Sequence, residues 1–308
     1  MERVGGPTAI LAGMRIGLLG LGLIGGSVAR ALRDPARGGG SGEWSIAAWT
    51  PNGRAPALAL AGGVIDRAAA SPEAAIDDAE LVILAGPAPD CLAQLDELAG
   101  PWHRSLAPDA VITDVASTKE AIVLRATALG LRFVGGHPMA GRETSGYAAS
   151  TAELFVDRPW VVVPTTDTAA VERVERVASA VGARPVRLGA AVHDRAVAGI
   201  SHLPLVAAAA LVEAVAGNTA DGPSADWQIA AGLAASGWAD TTRLARGDVT
   251  MGTGIVMTNA PAISARIRDL IVALEGWLVE LERPGGPDGA EIVERLRTAR
   301  ERLQSMDR

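Results

Sequence analysis

From residue 14 onward, short apolar runs alternate with segments in which apolar residues return every three or four positions. The first kind of run fits a strand buried on both faces, and the second fits a helix with one apolar stripe. Strands are predicted at 14–19 (MRIGLL), 45–49, 81–85 (LVILA), 110–113 (AVIT) and 132–134, with helices at 24–33, 55–61 and 119–128. Two further strands, 160–163 and 184–188, flank a predicted helix at 168–181. This βαβ alternation predicts a parallel sheet covered by helices. After residue 189 the strand pattern stops, and helices are predicted at 190–217, 224–236, 248–257, 259–282 and 288–306. The expected fold class is α/β, with an N-terminal parallel-sheet domain over 14–188 and an all-helical C-terminal domain over 189–308. Residues 1–13 are expected to form an extension ahead of the first strand. There is no internal repeat.

Composition narrows the function. Hydrophobic residues make up 49% of the 308 positions but aromatic ones only 3%, so the core is built from Ala, Val, Leu and Ile. A net charge of −7 argues against a nucleic-acid partner and against docking on anionic lipid, both of which call for a basic face. It leaves room for a local basic pocket that takes a small anionic substrate. The single cysteine, Cys91, can form neither an internal disulfide nor a cysteine-built metal site. Cys91 is expected to be a small buried apolar residue, the location cytoplasmic, and no metal is expected. The start, MERVGGPTAILAG, lacks the pattern of a secretory signal. The most apolar stretch, AGISHLPLVAAAALVEAVAG, contains His202, Pro204 and Glu213 and is expected to be a buried core helix rather than a membrane span.

The first chemical motif is Gly20-Leu21-Gly22-Leu23-Ile24-Gly25. It follows an apolar strand and opens a helix, the context of a Rossmann-type dinucleotide turn. Gly20 permits the tight turn, Gly22 lets a pyrophosphate approach the backbone, and Gly25 lets helix and strand pack closely. Leu23 and Ile24, at the helix start, offer free N–H groups to phosphate. An acid at the end of the second strand takes the ribose hydroxyl of NAD. Here the chain reads Thr50-Pro51-Asn52-Gly53-Arg54, with no acid. Thr50 can donate to a 2′-phosphate and Arg54 can pair with one, so the cofactor leans toward NADP, with NAD the alternative.

Three more segments carry candidate chemistry. In VGGHPMAGRE, His137 is predicted on a loop at the carboxyl edge of the sheet, where open α/β proteins bind ligands. An imidazole is the natural base near neutral pH. In TDVASTK, Ser117 follows a strand and is expected either to face the same cleft or to cap the next helix. In the helical half, His202 and Pro204 interrupt an apolar helix, which is costly without a purpose. In GWADTTR, Asp240 and Arg243 stand three apart, as an anion clamp or as a surface ion pair. His193, in HDRAVA, is expected to be structural at a helix start.

GLGLIGGS, TDVASTK, GGHPMAGRETSG, HDRAVAGISHLP and GWADTTR, in this order and spacing, resemble the prephenate/arogenate dehydrogenase family from about residue 14 to 282. The resemblance implies oxidative decarboxylation in tyrosine biosynthesis: hydride leaves C4 of a cyclohexadienyl ring for the nicotinamide, and the C1 carboxylate departs as CO₂. It implies that His137 accepts the proton of the C4 hydroxyl and that Ser117 hydrogen-bonds near that hydroxyl. It further implies that Arg243 binds a substrate carboxylate, that His202 lies near the site and that Asp240 orients Arg243. Two positions depart from many prephenate-specific members: Leu205 stands where a second His follows SHLP, and Gly252 where many carry Trp after GD-x-x-M. Both are similar to cyanobacterial-type arogenate dehydrogenases, which favour NADP. The expected substrate is therefore arogenate, with prephenate as the alternative, and the expected assembly is a homodimer through the helical domain. A β-hydroxyacid dehydrogenase would call for a catalytic Lys in the helical half, where none stands. A catalytically silent NADP-binding regulator has no need of His137, Ser117 and Arg243 together.

Overall fold

The computed structural model describes residues 13–37, 43–217, 224 and 226–306, so nearly all of the expected extension at 1–13 lies outside the described residues. The chain divides into two compact units, Met1–Ala260 and Pro261–Arg308. The first unit opens with β1 (Met14–Leu19), α1 (Leu23–Arg33), β2 (Trp44–Trp49), α2 (Arg54–Ala61), β3 (Arg67–Ala68) and α3 (Pro72–Ile76). It continues with β4 (Leu81–Leu84), α4 (Ala88–Ala99), β5 (Val111–Asp114), α5 (Glu120–Ala128) and β6 (Phe133–Val134). The six strands form one parallel sheet in the order β3-β2-β1-β4-β5-β6. The chain runs outward from β1 on one side and from β4 on the other. The carboxyl ends of β1 and β4 are thus the switch point beside which such sheets bind ligands.

Helices cover both faces, which is why the strands read as unbroken apolar runs. Ile16, Leu18, Leu81 and Ile83 point into one core with Val28 and Leu32 of α1. Leu19, Val82 and Leu84 point into the other, with Cys91, Leu95 and Leu98 of α4 and Ile122 of α5. Cys91 is fully buried and free, as expected. α4 carries apolar positions 88, 91, 95 and 98 at helical spacing, a pattern the sequence expectations leave out; the five-residue α3, with adjacent Ala75 and Ile76 buried, carries none.

The later strands do not extend the main sheet. β7 (Gly136–Pro138), β8 (Pro159–Val162) and, after α6 (Thr168–Ala180), β9 (Arg184–Arg187) form a separate three-stranded sheet. In it β7 runs antiparallel to β8, and β8 parallel to β9. His137 therefore sits on a short strand, opposite Val161, and not on a loop. Gly136 makes the departure from β6 possible: a Cβ there would stand 2.6 Å from the backbone oxygen of Asp114.

The helical part begins with α7 (Ala190–Val197) and α8 (Leu203–Ala216), joined by a π-turn at Ala198–His202. The expected helix over 190–217 is thus continuous but underwound at one point. Pro204 explains it: a proline donates no backbone hydrogen bond and its ring collides with the carbonyl four residues back, and a π-turn relieves both. Then come α9 (Trp227–Leu233), α10 (Ser236–Thr241) and α11 (Val249–Thr258). The one helix expected over 224–236 breaks where Ala234 and Ala235 are extended. Asp248 caps α11, accepting from the N–H of Met251 at 2.9 Å.

Ala190–Ala216 is long and apolar enough, by length and composition alone, to cross a membrane. It is not the buried core helix the sequence predicted, since only Ala208 of α8 is buried within the chain. The second unit is a hairpin of α12 (Ala260–Leu281) and α13 (Gly289–Met306). Glu280, buried, accepts from Arg283 and from the N–H of Asp288, and Arg295 stacks on Trp277 at 4.4 Å.

Candidate active site

The glycine turn has the geometry of a phosphate cradle. Gly20 holds φ +110°, and a Cβ there would meet the backbone of Ala85 at 2.7 Å; one on Gly25 would stand 2.2 Å from the Gly20 oxygen. A Cβ on Gly22 would meet nothing within 4 Å, so the turn is open on the side where a pyrophosphate would lie. Gly22 caps α1 without a side-chain hydrogen bond, leaving the first-turn N–H groups of Leu23, Ile24 and Gly25 without an intrahelical acceptor. At the end of β2 the hydroxyl of Thr50 is buried with no partner. Arg54 is exposed at the first position of α2, and no ion pair to its guanidinium is found among the described residues. An orphaned hydroxyl and a cation with no ion pair among the described residues fit the ribose end of a dinucleotide.

The second cluster lies at the carboxyl end of β5. Asp114 and Lys119 form an ion pair with no exposure on either side. Asp114 also accepts from the N–H of Ala116 at 3.0 Å and of Gly136 at 3.1 Å. One carboxylate therefore ties the neighbour of Ser117 to the neighbour of His137. Burial pushes the Asp114 carboxyl up, against the pull of Lys119. The segment around Ser117 is pinned twice more. Thr118 bonds Thr258 of α11 at 2.7 Å, and the N–H of Lys119 donates to Asp194 at 2.8 Å. Ser117 does not cap α5. That role falls to Asp194, whose two oxygens accept from Lys119 and Glu120.

His137 is half-buried, and its Nδ1 lies 2.8 Å from Nε2 of His193. His193 Nδ1 lies 2.7 Å from Asp194. Desolvation, then the charge of Lys119 and the neighbouring histidines, hold His137 well below the ordinary histidine range. These surroundings favour its neutral form, the form a general base requires. His202 is buried in the π-turn, its Nδ1 facing the amide of Asn259 at 3.1 Å. The same amide nitrogen donates to the carbonyl of Asp194 at 2.9 Å, which fixes its orientation. His202 Nδ1 is then an acceptor, so Nε2 carries the proton, and that N–H is buried without a partner. Burial lowers His202 to about 4.

Arg243 is exposed and pairs with Glu143, six residues beyond His137, and not with Asp240. Asp240 is exposed and makes no bond to Arg243, so the expectation that it orients the guanidinium is corrected. The spacing of Asp240 and Arg243 suits one helix face, but α10 ends at Thr241 and the chain turns into a 3-10 segment that rotates Arg243 away. The two positions that depart from the family pattern adjoin one another: a Cβ on Gly252 would stand 3.6 Å from Leu205. Asp114, Lys119, Asp194 and Asn259 were not among the sequence candidates. For the three charged residues the signal is present in TDVASTK and HDRAVA, where charges sit among apolar positions; Asn259, in MTNAP, carries no such signal.

Residues 37–187 match the family model described as prephenate dehydrogenase, nucleotide-binding domain, and 189–284 match prephenate dehydrogenase, dimerization domain. The chain is 34% identical over 271 residues to a prephenate dehydrogenase of Bacillus subtilis, covering 86% of this chain and 68% of that protein. Among solved structures it is similar to the arogenate dehydrogenase of Synechocystis, with TM-score 0.74 and 31% identity over 94% of this chain and all (100%) of that one. It is also similar to the A. aeolicus prephenate dehydrogenase in complex with hydroxyphenyl propionate and NAD+, with TM-score 0.81 and 27% identity over 96% of this chain and 99% of that one.

Proposed function

Because the chain belongs to the prephenate/arogenate dehydrogenase family, an NAD(P)-dependent and oxidatively decarboxylating group, we propose that it converts arogenate to tyrosine with NADP. The observation that carries the reading is a neutral His137 held beside the Ser117 segment at the carboxyl end of the parallel strands. A bound nicotinamide supplies the hydride acceptor. His137 takes the hydroxyl proton as hydride leaves C4, so that a carbonyl forms without a cationic intermediate. The electron pair of the bond to the departing CO₂ then enters the ring, and the phenolate takes the proton back from His137. Ser117 hydrogen-bonds the reacting oxygen. Arg243 exchanges Glu143 for a substrate carboxylate, and the buried N–H of His202 offers a further donor.

Arogenate is supported by Leu205 beside Gly252 and by the likeness to the Synechocystis enzyme. NADP is supported by the Thr50 hydroxyl, buried without a partner, and by Arg54, whose guanidinium has no ion pair among the described residues. Prephenate with NAD is the second reading, favoured by the names of the Bacillus subtilis and A. aeolicus relatives. The boundary between cofactor and substrate halves is placed at 188/189, and the apolar surface of α8 is assigned to a second copy of the chain in a cytoplasmic homodimer.

The test is cofactor reduction followed at 340 nm with arogenate or prephenate, each with NADP or NAD. Turnover greatest with arogenate and NADP is expected; preference for prephenate or for NAD overturns that half of the proposal. Arg54→Ala is expected to weaken NADP by about 10-fold or more, the worth of one charged hydrogen bond, and to leave NAD unchanged.

A further inference from the structure

Asp194 is tied down from three sides. Its carboxylate accepts from two backbone N–H groups of the α5 start and from His193, which holds it below the usual carboxylate range despite its burial. Its carbonyl accepts from Asn259. An ionised Asp194 can only accept, so His193 Nδ1 must carry a proton. In neutral His193 the other nitrogen, Nε2, is then a lone pair, and it faces His137 Nδ1. The two rings meet edge to face, with centroids 5.0 Å apart.

We propose that His193 and Asp194 are positioning residues for the base: the chain Asp194–His193–His137 keeps the proton of His137 on Nδ1 and leaves Nε2 as the lone pair that meets the substrate hydroxyl. This rests on the function proposed above and deepens it. The hydroxyl O–H bond breaks and a bond from that proton to His137 Nε2 forms, while the hydride leaves C4 with its electron pair for the nicotinamide. The imidazolium so formed donates from Nδ1 to His193, and His193 donates to Asp194, so the new positive charge is matched by a buried carboxylate two bonds away. The groups facing His137 are His193 from α7, with Asp194 behind it, His202 from the π-turn, and Lys119, paired with Asp114, from the segment before α5. Of these only His193 contacts the ring nitrogen. Asp114 and Lys119 act on the backbone beside it and on its charge. His193 thus has a role beyond the structural one at a helix start expected from sequence.

The experiment uses the full chain with its histidines labelled with ¹⁵N, of which there are four. In the unliganded protein, His137 is expected with Nδ1 protonated and Nε2 unprotonated. The reverse tautomer overturns the proposal, and this reading needs no substrate. The second arm compares His193→Leu with His193→Gln, whose amide oxygen can still accept from His137. With arogenate or prephenate, His193→Leu is expected to lower kcat about 10- to 100-fold, with KM and cofactor affinity unchanged, and to raise the apparent Nε2–H population of His137. His193→Gln is expected to recover part of kcat. An unchanged kcat in His193→Leu, or equal losses in both variants with the tautomer unmoved, overturns the relay. Failure of the unsubstituted enzyme to turn over either substrate sinks the functional reading instead and leaves the tautomer result to stand by itself.

Discussion

The base proposed for His137 must be a neutral imidazole, and its surroundings favour that form. Desolvation and the Lys119 charge both disfavour the imidazolium. The acid limb of kcat/KM is therefore expected below pH 6.5, the ordinary histidine value; a limb at or above it contradicts the assignment. His137→Asn is expected to lose about 10²- to 10⁴-fold in kcat, the usual worth of a general base, while cofactor affinity measured by fluorescence stays put. His202 makes a stability prediction. Its folded pKa of about 4 lies below the unfolded 6.5, so the unfolded state binds the extra proton as pH falls between them. Stability from this group is complete above pH 6.5 and is lost on the way to pH 4. From pH 7 to 4.5 the loss is roughly 2 kcal/mol. His202→Gln is expected to show a flatter fall of Tm with pH over this window; an identical slope removes His202 as its source.

At the scale of elements, the glycine turn separates folding from binding. A Cβ on Gly25 collides with the Gly20 oxygen, whereas one on Gly22 enters open space. Gly25→Ala is expected to lower Tm and abolish cofactor binding together. Gly22→Ala is expected to keep Tm and weaken cofactor binding, because the added Cβ meets no protein atom within 4 Å and would stand where a pyrophosphate would lie; equal affinity for both proteins refutes the cradle. The π-turn is the second such device. It carries His202 to Asn259, and Pro204 makes it necessary. Pro204→Ala lets the segment return to α geometry, and the expected outcome is lower kcat without a lower Tm.

For the molecule as a whole, the apolar surface of α8 sets the question of assembly. Residues on that helix such as Ala210 and Val215 are exposed, and the region matches a dimerization-domain model. Sedimentation is expected to give twice the chain mass, and Ala210→Arg to shift the protein toward monomer; a monomeric unsubstituted protein refutes the assembly. Much of this molecule was legible along the chain. Apolar runs and their spacing located most strands and helices, because burial on one or two faces dictates a period that neighbours in sequence reveal. The glycine turn and His137 were legible too, since their local spacing is itself the requirement. Membership of β8 and β9 in a second sheet was not, because a strand's pattern records that it is buried and not which partner buries it. Nor were the partners of the charged groups. Asp194 lies 57 positions from His137 along the chain (194 − 137), and Glu143 lies 100 from Arg243. Sequence by itself determined most of the elements and the dinucleotide turn, and it singled out His137 as the candidate base. Only the tertiary structure decided that Glu143 and not Asp240 holds Arg243, and that Asp194 and His193 stand behind His137, because a hydrogen bond depends on distance in space and leaves no period in the chain.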